Sequence, residues 1–196
     1  MNTEKIKKRI AKCIVRGGTD LNLSGCDLVE FPAYLFEAID TTKIVYLELH
    51  DNQLEKLPEN LAQFSNLKSL DASENKFSTF PMPILALKKL QTLYIYSNQI
   101  PEIPSEIEEL SALRDLFIGD NDLQTLPAAI GKLSHLKSLN LAHNEKFEKL
   151  PLEIKFLTRL ENLDLDQKAI EANTDVLELL PKNITILTGS KTSRGF

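Results

Sequence analysis

Apolar and polar positions along this chain repeat with a period of about 23 residues over most of its length. Segment 90–113, LQTLYIYSNQIPEIPSEIEELSAL, shows the unit: apolar residues at fixed positions, one central asparagine, and a proline in the second half. The same frame begins again at Leu67, Leu113 and Leu136. A proline recurs with spacings of 26, 23, 23, 23 and 24 residues, at Pro32, Pro58, Pro81, Pro104, Pro127 and Pro151. A fixed period in this range is typical of a solenoid of stacked repeats.

Within one unit, the alternation of residue types predicts a short strand followed by a returning turn. Leu93 and Ile95 point to one side of an extended segment, and Tyr94 and Tyr96 point to the other. Pro104 restricts φ in the returning part, and it has no N–H that would need a partner there. Because one unit cannot enclose an apolar core alone, successive units must stack and stabilise their neighbours.

An asparagine recurs where each strand is expected to bend away, at Asn52, Asn75, Asn98, Asn121 and Asn144. An amide side chain both donates and accepts hydrogen bonds, so it can satisfy backbone groups that the turns leave unpaired. We therefore interpret the series as an internal ladder of structural residues rather than as a binding site.

The repeat frame resembles that of leucine-rich repeat proteins and covers about three quarters of the chain, from about Leu21 to Leu165. The 23-residue form, Leu-Pro-x-x-Ile-x-x-Leu, is similar to the repeats of intracellular Ras-pathway scaffolds and of plant and bacterial relatives. This resemblance implies an α/β fold: a leucine-rich repeat solenoid, or horseshoe, with a parallel β-sheet on its concave face and a cap at each end. It also implies a surface that holds other proteins, without saying which.

The two ends of the chain differ from the repeats and predict caps on a single repeat domain. We expect an N-terminal capping helix, about seven repeats, a C-terminal cap and a flexible tail at residues 1–18, 19–168, 169–188 and 189–196. Cys26 occupies the asparagine position of the first repeat, and Lys168 occupies that of the last. A short helix from Thr174 and an extended segment from Ile184 are expected in the C-terminal cap.

Residues 3–16 predict an amphipathic helix with one narrow apolar stripe, formed by Ile6, Ile10, Cys13 and Ile14, and six basic residues around it. A basic amphipathic helix could lie on an anionic membrane surface. Alternatively, the stripe could cover the exposed end of the first repeat, as a solenoid requires. The cap is favoured because the stripe is narrow and has no aromatic anchor, so peripheral membrane contact is not expected.

Composition favours a cytoplasmic protein; if the chain is a bacterial effector, as some proteins that it resembles are, the cytoplasm would be that of a host cell. The 196 residues are 42% hydrophobic and 26% charged, and no run of about 18 apolar residues predicts a membrane span. Two cysteines do not form a disulfide framework, which favours a reducing compartment. Beyond residue 16 the chain holds 17 basic and 27 acidic residues, a balance of −10. Such a surface repels nucleic acid and attracts a protein with a basic or mixed surface.

The outward positions of the predicted strands contain no lysine or arginine, although the chain has 23 of them. They include nine acidic residues and three of the four tyrosines. Aromatic residues surrounded by charge are typical of a binding hot spot and its rim. The candidate partner-binding residues are Tyr46, Glu48, His50, Asp71, Tyr94, Tyr96, Asp115, Phe117, Asp120, Asn140, His143 and Asp164.

The sequence gives little support for an enzyme, a cofactor or a metal ion. His50 and His143 are about four strands apart, or ~20 Å, too far to share a proton or a metal. Cys26 is expected to be buried without a neighbouring histidine, and no phosphate-binding glycine loop or zinc-ligand spacing is present. Weak Ca²⁺ binding by the acidic columns lacks the ligand loop that such sites use.

Three functional hypotheses follow. The first is a monomeric protein-interaction module that grips a basic or mixed surface with its concave face. The second is a regulatory or targeting subunit that uses both this face and the basic N-terminal helix. The third, which concerns origin more than chemistry, is a bacterial effector that mimics a eukaryotic repeat scaffold.

Overall fold

A computed structural model describes residues 3–189. One sheet of eight parallel strands runs through it, and each strand pairs only with its neighbours in the chain order. The strands are β1 (Asp20–Asn22), β2 (Tyr46–Glu48), β3 (Ser69–Asp71), β4 (Thr92–Tyr94), β5 (Asp115–Phe117), β6 (Ser138–Asn140), β7 (Asn162–Leu165) and β8 (Thr185–Thr188). The helices are α1 (Thr3–Val15), α2 (Leu35–Ala38), α3 (Gln167–Ala172) and α4 (Thr174–Leu177). This is the open solenoid that the sequence period predicts.

The register of the strands aligns the central leucines of successive repeats. Leu47, Leu70, Leu93 and Leu116 are partners across adjacent strands, and each is at most 1% exposed. The chain returns on the convex side through 3-10 helices, at Thr41–Lys43, Glu59–Gln63, Met82–Ala86, Ser105–Glu109, Ala128–Lys132 and Leu152–Phe156. A proline with extended backbone stands directly before each of the last five, as the recurring proline predicts.

The asparagine ladder is confirmed, and it has a direction. Asn75 Oδ1 accepts the N–H of Leu54 at 3.0 Å, and its Nδ2 donates to the carbonyls of Leu49, Ala72 and Ser73 at 2.9–3.2 Å. Each asparagine thus satisfies a backbone N–H of the turn before its own. Asn52 does this for the first repeat, where Cys26 replaces asparagine, by accepting from the N–H groups of Cys26 and Leu28.

The residue before each ladder asparagine has a positive φ of 52–61°, at Asp51, Glu74, Ser97, Asp120 and His143. In the first repeat the equivalent residue is Gly25, with φ 56°. Residues other than glycine are uncommon in this left-handed region, although Asn, Asp and His adopt it more readily than most. Each of the first six repeats therefore has a left-handed backbone position at this point of its turn, and the last repeat does not.

Helix α1 covers the open end of the first repeat. Ile6, Ile10 and Cys13 are buried, but Ile14 is 55% exposed, so the expectation that it belongs to the buried stripe is wrong. The helix packs beside β1, where Arg9 Nη1 donates to Asn22 Oδ1 at 2.8 Å. Lys5 Nζ donates to the carbonyl of Gly25 in the same turn.

At the other end, Asn173 supplies the ladder contact that the sequence could not assign. Its Oδ1 accepts the N–H of Leu150 at 2.8 Å, and its Nδ2 donates to the carbonyls of Glu148 and Ala169. Lys168 lies exposed in α3, a helix that the sequence pattern did not predict. The expected final extended segment is present as β8. Residues 190–196 of the expected flexible tail lie outside the described residues.

Candidate protein-binding face

We define the concave face as the side of the sheet that carries the side chains alternating with the buried leucines. Among the twelve residues predicted to bind a partner, Tyr46, Asp120 and His143 are exposed. Glu48, His50, Asp71, Tyr94 and Asp115 are partly exposed. The accessible part of the predicted set is therefore concentrated on β2, β3 and β4, with three further residues toward the C-terminal side.

Four predicted contact residues are buried, so the expectation that they face solvent is wrong. Tyr96, Phe117, Asn140 and Asp164 are 4%, 6%, 8% and 0% exposed. Their burial has three different local causes.

Tyr96 lies beyond the last residue of β4, in a column whose neighbouring members are the small residues Ser73 and Gly119. Because the neighbouring residue on each side is small, the ring of Tyr96 has room to be buried. Phe117 lies under Tyr94, with the ring centroids 4.7 Å apart and the planes within 6° of parallel. It is a support for Tyr94 rather than a contact surface.

Asn140 and Asp164 are engaged with each other: Asn140 Nδ2 donates to Asp164 Oδ2 at 2.9 Å. Asn140 also lies close to the backbone of Gly119, where a Cβ would stand only 2.5 Å from Asn140 Oδ1. A larger residue at that glycine would displace the asparagine. These two polar side chains serve packing on the concave side.

The accessible centre of the face is a cavity of about 160 Å³ between β2 and β4. Its lining side chains are Tyr46, Glu48, His50, Ser69, Asp71 and Tyr94. Asp71 is held in position because its Oδ1 accepts from both the N–H (3.1 Å) and the hydroxyl of Ser73. Its Oδ2 lies 3.2 Å from His50 Nδ1. We call this cavity the tyrosine–aspartate pocket.

Tyr94 forms one wall of the tyrosine–aspartate pocket and remains a neutral phenol. Burial raises the pKa of its hydroxyl above the ordinary value, and the nearby carboxylates of Asp115 and Asp71 raise it further, with a smaller effect from Tyr96. Its ring is fixed by the stack on Phe117. The pocket thus presents a rigid aromatic surface next to a fixed carboxylate.

A second cavity, of about 410 Å³, adjoins the tyrosine–aspartate pocket on its N-terminal side. Arg9, Lys12 and Arg16 of the N-terminal segment line one wall, and the other wall includes Asp20, Asn22, Tyr46 and Glu48. We call it the basic groove. The sequence correctly placed no lysine or arginine on the strands, but it did not place these residues at the edge of the face. The six basic residues of segment 3–16 were the available signal for this groove. Which side of the sheet they face depends on how α1 packs, and the sequence does not show that.

The geometry gives little support for a paired-histidine site, a reactive cysteine or a metal site. His143 is exposed, with Nδ1 3.9 Å from Asp166 Oδ1, and it does not line the pocket that contains His50. Burial is the main cause that raises the pKa of both Cys13 and Cys26, which disfavours a reactive thiolate. Within residues 3–189, no three His, Cys, Asp or Glu side chains are grouped so that they could hold a metal ion.

Comparison with family models matches the description Leucine Rich Repeat at residues 89–110. Among solved structures, a leucine-rich repeat protein of Leptospira interrogans is 25% identical with a TM-score of 0.53, over 86% of this chain and 54% of its own. The functional domain of InlJ from Listeria monocytogenes is 21% identical with a TM-score of 0.63, over 89% of this chain and 36% of its own. The plant peptide hormone receptor RGFR1, solved in complex with RGF2, is 25% identical with a TM-score of 0.62, over 87% of this chain and 32% of its own.

The chain therefore spans about a third to a half of the length of these proteins. A search of curated proteins gives no match. In the part of the chain that the structure describes, no helix has the length and apolar character needed to cross a membrane.

The matched repeat, the register of eight parallel strands and the similarity to solved repeat proteins all point to the same architecture. Proteins of this architecture are typically interaction modules rather than enzymes. This chain has the solenoid fold of the leucine-rich repeat proteins that it resembles, and one of its repeats matches their family model.

Proposed function

We propose that the chain binds a partner protein through the concave face of β2, β3 and β4. The observation that carries the proposal is the exposure of Tyr46, which is 49% accessible, beside the ring of Tyr94 and the carboxylates of Glu48 and Asp71. A solenoid needs polar residues on its open side for solubility, but that need does not account for accessible tyrosines around a cavity. Tyrosine offers a large contact area with little rotamer entropy to lose.

The charge of this face favours a partner with a basic or mixed surface. Glu48 and Asp71 line the tyrosine–aspartate pocket, Asp115 lies near Tyr94, and none of the eight strands contains a lysine or arginine. Such a field speeds the approach of a basic partner and is screened by salt. We expect binding to a basic or mixed protein surface rather than to nucleic acid.

The experiment is affinity capture from cell lysate with the double variant Tyr46→Ala and Tyr94→Ala. We expect the protein captured by the parent chain to be lost, and capture to weaken at high salt. Tyr34→Ala is the matched control, because Tyr34 is 41% exposed and lies before α2, away from the pocket. Equal capture by the parent and the double variant, with both folded, would place the binding surface elsewhere. Tyr96 is left unchanged because its burial would confuse stability with binding.

The alternative of a membrane-targeting helix receives less support. Ile6, Ile10 and Cys13 of α1 are buried against the first repeat and are not available to a lipid surface. Liposome flotation of the full chain tests this point, and flotation that depends on α1 would favour targeting. Two free, buried cysteines support a cytoplasmic setting, which fractionation of the source cells would test.

A further inference from the structure

The tyrosine–aspartate pocket and the basic groove share two lining residues, Tyr46 and Glu48, but they differ in charge. The pocket is lined by the carboxylates of Glu48 and Asp71 without a lysine or arginine, whereas the groove has three cations beside two carboxylates. We propose that the concave face binds an extended protein segment of mixed charge in one fixed orientation. An arginine of that segment enters the tyrosine–aspartate pocket, and an acidic residue of the same segment pairs with the cations of the basic groove. This inference rests on the proposed function and specifies the partner of that same face.

The tyrosine–aspartate pocket has the features that a guanidinium group requires. Two tyrosines, Tyr46 and Tyr94, line it, and a guanidinium stacks on aromatic faces. Asp71 is already oriented by Ser73, so its carboxylate is held in place before the partner arrives. A carboxylate has about four acceptor sites, which leaves capacity beyond the contacts with Ser73 and His50.

Arginine fits this pocket better than lysine does. Its planar group combines stacking with a paired hydrogen bond to a carboxylate, whereas an ammonium group is more strongly hydrated and has no flat face. The volume of about 160 Å³ is more than ten times the space that one water needs, and no lysine or arginine among residues 3–189 lines it. The pocket therefore accepts a side chain rather than a single solvent molecule.

The basic groove complements this arrangement. Arg9 is fixed by its 2.8 Å hydrogen bond to Asn22, and Lys12 and Arg16 are exposed along the same wall. In the described part of the chain, the side chains of Lys12 and Arg16 take part in no ion pair. A carboxylate of a bound segment would meet two cations there and gain charge-assisted hydrogen bonds.

The strand spacing sets the distance between the two charges on the partner. The basic groove borders β1 and β2, and the tyrosine–aspartate pocket extends from β2 to β4. Strands lie ~4.8 Å apart, so the centres of the two regions are separated by roughly 5–14 Å. An extended segment rises ~3.3 Å per residue, which places the acidic residue about two to four positions from the arginine.

The test uses a defined probe, the peptide acetyl-Glu-Gly-Gly-Arg-amide, followed by NMR of the full-length chain. We expect saturable shifts of the Tyr46 and Tyr94 ring resonances and of the Arg16 backbone amide. Replacing arginine by its neutral counterpart citrulline should weaken binding about tenfold, the effect of losing one charge-assisted interaction. Replacing glutamate by glutamine should weaken binding several-fold and abolish only the shift at Arg16.

Variants of the chain provide the matched comparison. Asp71→Asn keeps the acceptor for Ser73 and should weaken the arginine peptide about tenfold. Asp122→Asn removes the same charge beside Lys146, away from both cavities, and should leave binding unchanged. The double variant Lys12→Glu and Arg16→Glu should prefer acetyl-Lys-Gly-Gly-Arg-amide to the original peptide. Equal binding of the citrulline peptide, or equal weakening by Asp122→Asn, would overturn the inference.

Failure here is distinguishable from failure of the proposed function. If Tyr46→Ala with Tyr94→Ala loses the captured partner while Asp71→Asn and the groove variant keep it, the face binds but the fixed orientation is wrong. If the tyrosine variant also keeps the partner, the proposed function itself fails.

Discussion

The ring of Tyr94 lies flat on the ring of Phe117, with 4.7 Å between the centroids and 6° between the planes. Tyr94 is partly exposed, whereas Phe117 is buried. The two residues therefore have different roles in one unit: Tyr94 offers the accessible surface, and Phe117 fixes its orientation. A partner would detect a change at Phe117 only through Tyr94.

A change at Phe117 should separate stability from binding. We expect Phe117→Leu to retain the fold with a modest loss of stability, because it keeps an apolar side chain, but to weaken partner capture as Tyr94 loses its stack. Phe117→Ala should lower the free energy of unfolding by about 3–5 kcal/mol. Denaturant unfolding and capture assays measure the two effects, and unchanged capture by Phe117→Leu would remove the supporting role.

The raised pKa of Tyr94 gives a stability change in alkali. The folded chain holds this proton more tightly than the unfolded chain does, so the free energy of unfolding is unaffected below the ordinary value of 10.0. It falls as the pH rises through the raised pKa, because the unfolded chain then releases the proton first. Denaturant unfolding across this range should show a smaller fall for Tyr94→Phe than for the parent, and Tyr34→Phe serves as the comparison. An equal fall in both variants would contradict the assignment.

The ladder should be costly to interrupt in the middle of the solenoid. We expect Asn75→Ala to lower the free energy of unfolding by at least about 2 kcal/mol, since it leaves the buried N–H of Leu54 and several carbonyls without their partner. Asn66→Ala removes an asparagine whose hydrogen bonds to Thr42 and Lys89 are exposed, and it should cost less than about 1 kcal/mol. Similar losses in both would mean that the ladder does not stabilise the interior.

The left-handed backbone positions make an unusual prediction about glycine. Glu74 has φ 53° and is exposed, so Glu74→Gly should leave stability unchanged or raise it by up to about 1 kcal/mol. Glu59→Gly makes the same chemical change in the first turn of a 3-10 helix and should lower stability by about 0.5–1 kcal/mol. Thermal unfolding of both variants measures the difference. A loss at Glu74 as large as that at Glu59 would show that backbone strain there is negligible.

The sequence predicted what depends on position within one repeat, such as the burial of Leu93 and the ladder role of Asn75, because period and alternation determine these. It missed what depends on the neighbouring repeat. Tyr96 packs down because the adjacent turns supply Ser73 and Gly119, and no pattern within its own repeat shows this.

The same limit applies at both ends of the solenoid. Asn173 reaches the ladder from between two helices, so its spacing does not follow the repeat. Arg9 comes to the edge of the concave face only because α1 packs in one direction. Periodicity carries no information about segments that stand outside the repeat.

Each ladder asparagine completes the turn before its own, from Asn52, which serves Cys26, to Asn173, which serves Leu150. The ribosome releases the N-terminal turns first. The backbone N–H of each new turn therefore has no asparagine acceptor until the following turn has emerged. During synthesis the ladder can therefore be completed only in chain order, and its last hydrogen bond comes from Asn173, outside the repeats. A chain that stops within the repeats would lack the asparagine that satisfies its last turn, whereas the complete C-terminal cap supplies that asparagine as Asn173.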